Sequence, residues 1–89
     1  MRLETKTSLG VAEVLELGKR FFAERMPHHS AFLEREEPGF ITLRGQGGEE
    51  ISLAASDLDP GAYVSASSMF YGQAIARFFS TLPRLEETS

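Results

Sequence analysis

The spacing of apolar residues changes twice along the chain, and each change marks a different kind of element. Over residues 9–26, Val11, Val14, Leu15, Phe21, Phe22 and Met26 recur at the three- and four-residue intervals of one helical stripe, with Gly18 on the same stripe. Glu13, Glu16, Lys19, Arg20 and Glu24 fall mainly on the other side. Glu16 precedes Arg20 by four residues, an order worth about 0.2–0.5 kcal/mol on an exposed helix. Thr7 or Ser8 is a candidate cap, since its hydroxyl can accept a free N–H at the helix start, and Pro27 stops the run. A glycine inside a helix costs about 1 kcal/mol relative to alanine, so Gly18 either marks the close approach of another backbone or is simply tolerated there.

From residue 31 to 55 the period becomes two. Leu33, Ile41, Leu43, Ile51 and Leu53 alternate with Glu34, Thr42, Arg44, Glu50 and Ser52, as in strands with one face on a core and the other toward solvent. A hairpin loop at Gln46-Gly47-Gly48 sets Leu43 opposite Ile51, Ile41 opposite Leu53 and Arg44 opposite Glu50, which keeps the apolar face continuous. Gly48 then takes the left-handed position of the loop. At Glu37-Pro38-Gly39 a plain two-residue turn would put Glu34 beside Leu43. A longer loop or a bulge restores Leu33 to that place.

Asp59-Pro60-Gly61 predicts a further turn, and Ala62 to Ala66 a fourth short strand through Tyr63 and Val64. A closing helix is expected from Ser67 or Ser68 to Leu82, capped by Ser65 or Ser67 and ended by Pro83. Met69, Phe70, Tyr71, Ala74, Ile75, Ala76, Phe78, Phe79 and Leu82 would cover more than one face of that helix, so it needs burial on several sides. The expected fold is α+β: an N-terminal helix, an antiparallel β-meander of three to four strands and a C-terminal helix, with both helices packed on one sheet face. Short strands before each helix, at Arg2 to Lys6 and Ala62 to Ala66, stay open at this stage.

Composition narrows this picture. The 89 residues make a single domain, with an ordered core from about 8 to 83 and a frayed tail over 84–89. The 42% hydrophobic and 25% charged content is that of a globular chain. Cysteine is absent, the first six residues are too charged for a signal peptide, and no apolar run approaches the roughly 20 residues of a membrane span. A cytoplasmic protein with no membrane association is expected. Nine basic residues scattered through a chain of net charge −4 give no phosphate-binding cluster, so no nucleic-acid partner is expected. Helix, three strands, helix is also the order of double-stranded-RNA-binding domains. Those begin their last helix with lysines, where this chain has Ser65-Ala66-Ser67-Ser68-Met69-Phe70, and no family resemblance is drawn.

Candidate chemistry is sparse. His28 and His29 lack the spacing of a metal motif, Gly45-Gln46-Gly47-Gly48 leads into Glu49 rather than a helix, and Ser65, Ser67 and Ser68 have no base assigned to them. Asp57 and Asp59 are explained by the turn they flank. No catalytic residue, metal ligand or cofactor is expected. Phe32 and Phe40 alternate out of phase with Leu33 and Ile41, which puts rings on the sheet face away from the helices. Phe32, Phe40, Met69, Phe70 and Phe78 are therefore the candidate interface of a homodimer or a protein-docking module. The alternative is a metabolite pocket between the last helix and the sheet, lined by Tyr63, Tyr71 and Phe78 with Arg77 or Arg44 as an anion anchor.

Overall fold

In the computed structural model, which describes residues 1–24, 31–45 and 47–84, the chain forms five strands and two helices. They run β1 (Arg2–Thr7), α1 (Val11–Glu24), β2 (Phe32–Glu37), β3 (Phe40–Arg44), β4 (Glu50–Asp57), β5 (Ala62–Ser68) and α2 (Gly72–Thr81). All strand pairs are antiparallel, in the order β1-β5-β4-β3-β2. The fold is α+β with both helices on one sheet face, and the meander is extended to five strands by β1. That strand precedes the first helix and pairs with β5, Leu3 opposite Ala66 and Thr5 opposite Val64.

Alternation places Ile41, Leu43, Ile51, Leu53, Val64 and Ala66 on the inner face, all buried. Above them Phe21, Phe22 and Phe78 form a ring cluster with centroids 5.2–5.6 Å apart, which joins the two helices to each other as well as to the sheet. Fully burying Phe22 and Phe78 contributes about 1.5–3 kcal/mol each. What approaches Gly18 is not a backbone but side chains: the Leu53 methyl and the edge of the Phe78 ring fill the space a β-carbon would need.

The β3-β4 hairpin has the register the side chains select, Leu43 opposite Ile51 and Arg44 opposite Glu50, and Gly48 has φ of +90°. At the β2-β3 turn the bulge is the solution. Pro38-Gly39 connects Glu37 to Phe40 directly, and a register shift at Glu34 brings Leu33 back opposite Leu43.

Two boundaries differ from expectation. The first bond of α1 runs from Val14 N–H to the Gly10 carbonyl, while the Thr7 hydroxyl accepts from Leu9 N–H and donates to the Pro83 carbonyl. Thr7 thus ties β1 to the end of α2 instead of capping α1. At the other end, β5 continues to Ser68, and α2 starts only at Gly72. Ser68 lies opposite Ile51 and exchanges main-chain bonds with Met1, and its hydroxyl accepts from Phe70 and Tyr71 N–H. Neither Ser65 nor Ser67 caps a helix. The N-cap is Tyr71, which makes no side-chain cap. Arg84, placed in the frayed tail by sequence, forms an antiparallel bridge with Thr7.

Candidate functional site

The outer sheet face is formed by alternate residues of every strand, and no described element covers it. Across its middle lie small residues: Thr42 on β3, Ser52 and Ala54 on β4, Ser65 and Ser67 on β5. Phe40 stands opposite Ala54, Phe32 opposite Arg44, and Tyr63 opposite Ser56 at the far corner. Phe32 is 58% exposed, an apolar ring in water. Beyond the end of β5, Met69 at 82% and Phe70 at 70% are more exposed still, over a shallow groove of about 480 Å³ that runs past Glu50, Ser52 and Ser67. The apolar excess expected on the last helix therefore lies on the loop before it, at Met69 and Phe70. Phe78 is the exception among the interface candidates. At 0% exposure it is core, because its ring points from α2 into the Phe21-Phe22 cluster.

Arg44 organises one end of this face. Its guanidinium grips Glu34 through Nε and Nη2 at 2.9 and 2.8 Å, donates to the Gly48 carbonyl at 2.7 Å and reaches Glu50 at 3.4 Å. Glu34 is the bulged residue, so the ion pair with Arg44 is made from the bulge itself. The hydrogen bond from Arg44 holds the Glu34 carboxyl below its usual pKa, against the opposing effect of burial. Arg44 is raised by the same partner. Its Nε, Nη1 and Nη2 groups all engage partners within its own chain.

The proposed pocket residues are not brought together. Tyr63 projects from the outer face, where a hydrogen bond with Glu4, then burial, raises its pKa. Tyr71 lies on the helix side, its hydroxyl 3.1 Å from Glu49 Oε2, and is raised first by burial and then by that bond. Arg77 is exposed on α2 and Arg44 is on the outer face. Sequence reasoning could not see this, since it assigned Tyr63 to a strand without a face.

On the helix side, Lys19 bridges Glu16 at 2.7 Å and Glu36 at 2.6 Å, which pins α1 to β2. Hydrogen bonding to both carboxylates raises Lys19, and the bond to Lys19 lowers Glu16. Ser65 and Ser67 face outward while Ser68 is buried on the helix side, so the serines do not form one cluster. Asp57 and Asp59 are exposed at the β4-β5 turn. His28 and His29 lie outside the described residues. Among the described residues, no three His, Asp or Glu side chains are grouped as a metal site, and no helix is long and apolar enough to cross a membrane.

Comparison with protein-family models, curated proteins and solved structures finds no match to this chain.

Proposed function

We propose that the protein is a non-catalytic interaction module whose outer sheet face is its contact surface. The observation that supports this is the arrangement of that face: a floor of small side chains bordered by the exposed rings of Phe32 and Phe70 and by Met69. Small residues let a partner approach the sheet closely, while the larger apolar groups at the border gain most by losing water. The face also carries both signs of charge, Arg2, Lys6, Arg35 and Arg44 beside Glu4, Glu37 and Glu50, in a chain whose total is −4. A partner arriving there meets a balanced surface. A cytoplasmic setting is part of this reading.

The test is site-specific photocrosslinking. A benzophenone amino acid at position 40, carried by the protein in its own cells, is expected to give covalent adducts of discrete mass. The same group at Glu13 on the outer side of α1 is expected to give none. Equal adducts from both positions, or none from position 40, would overturn the assignment.

A further inference from the structure

We infer that β1 is a dimerisation edge on which a second copy of this chain pairs its own β1, with Arg2 of one copy opposite Glu4 of the other. The two sheet edges are built differently. β2 carries Glu34, Arg35, Glu36 and Glu37 in succession and a bulge at Glu34, features that keep another strand from pairing with it. β1 has no bulge, and it lies beside a groove of about 410 Å³ whose apolar lining is Leu3, Ala76, Phe79 and Leu82.

The hydrogen-bond pattern restricts how such an edge can pair. Met1 and Ser68 exchange both main-chain bonds, at 2.9 and 3.0 Å, so by alternation Leu3, Thr5 and Thr7 turn their main-chain groups toward β5. Arg2, Glu4, Lys6 and Ser8 turn theirs outward. Ser8 demonstrates the pattern, donating outward to the Pro83 carbonyl at 3.4 Å, where Arg84 already runs antiparallel to Thr7.

A second antiparallel β1 must therefore match even residues with even residues. Centring the two-fold axis on Glu4 would oppose Glu4 to Glu4, and centring it on Arg2 would oppose two arginines. Centring it on Thr5 would drive the second strand into Pro83 and Arg84. Centring it on Leu3 avoids all three conflicts. Arg2 then faces Glu4 twice across the axis on the outer face, extending the Arg2-Glu4 pair already present within the strand at 3.3 Å. Leu3 meets Leu3 on the helix side, beside Phe79 and Ala76 from each copy. Met1 of the second copy falls opposite Thr5, short of the bridge. The result is one continuous ten-stranded sheet, an assembly that does not depend on the outer face having any partner.

Sedimentation and light scattering on the full chain test this first. The expected mass at micromolar concentration is twice the 9.8 kDa of one chain. Glu4→Arg, which opposes like charges at the axis, is expected to yield monomer, and the exchange Arg2→Glu with Glu4→Arg to restore the dimer. Amide exchange adds a readout independent of variants: Arg2 and Glu4 N–H groups gain protection with rising concentration, while Leu3 and Thr5 are protected throughout. A wild-type mass of one chain at all concentrations would overturn the inference. So would a dimer that is indifferent to Glu4→Arg and leaves the Arg2 and Glu4 amides exchanging freely.

Discussion

Leu53 extends a methyl group from the centre of the sheet into the space above Gly18 on α1, and the Phe78 ring edge lies 3.5 Å from where a β-carbon on residue 18 would stand. Alanine at position 18 would gain about 1 kcal/mol of helix propensity yet force buried side chains apart, which typically costs about 1–3 kcal/mol. Gly18→Ala is expected to lower stability by roughly 1 kcal/mol net, and Leu53→Val in the same chain to relieve part of the strain. Urea denaturation of the two single variants and the double variant measures the coupling. Simple additivity would show that the two sites do not compete for space.

Thr7 closes the domain from the other side. Its buried hydroxyl donates to the Pro83 carbonyl at 2.5 Å and accepts from Leu9 N–H. Thr7→Val keeps the shape and removes both bonds, so a loss of about 1–3 kcal/mol is expected. An unchanged denaturation midpoint would mean that water replaces the hydroxyl without cost.

Two glycines with positive φ are expected to respond differently to alanine. Around Gly48 there is open space, so Gly48→Ala meets only the conformational penalty of its left-handed backbone, about 1 kcal/mol. A β-carbon at Gly61, whose φ is +92°, would run into the Thr7 carbonyl, which is backbone and cannot rotate away. Gly61→Ala should therefore shift the thermal midpoint clearly further than Gly48→Ala. Equal shifts would contradict the close approach of the β4-β5 turn to β1.

The Glu34 carboxyl titrates below its usual 4.5 because Arg44 hydrogen-bonds the charged form. A carboxylate with a lowered folded pKa stabilises the fold fully above its unfolded value and loses that contribution as pH falls through the folded one. The difference in midpoint between wild type and Glu34→Gln should thus be largest near neutrality and shrink in acid. A difference that stays constant with pH would place the effect in the bulge backbone, not in the ion pair.

How much of this was legible beforehand depended on the distance over which each element finds its partner. The β3-β4 hairpin was readable to the residue, because Ile41, Leu43, Ile51 and Leu53 can share a face in only one register and Gly48 marks the loop. The alternation that put Phe32 and Phe40 on the outer face was readable for the same reason. By contrast, β1 holds a single large apolar residue, Leu3, and its partner strand begins more than fifty residues later, so nothing local announces it. The start of α2 was misplaced because the inward positions of β5, Ala62, Ala66 and Ser68 around Val64, are small or polar. Such a row resembles a helix cap until its neighbours bury it.

The sequence alone determined the helical stripe of α1 and the inward and outward sides of β3 and β4, since these follow from backbone geometry and local polarity. Tertiary structure decided that β1 joins β5, that Phe78 is core while Met69 and Phe70 are surface, and that Arg44 pairs with Glu34. Those outcomes depend on contacts between residues distant in the chain, where burial and hydrogen bonding outweigh local preference.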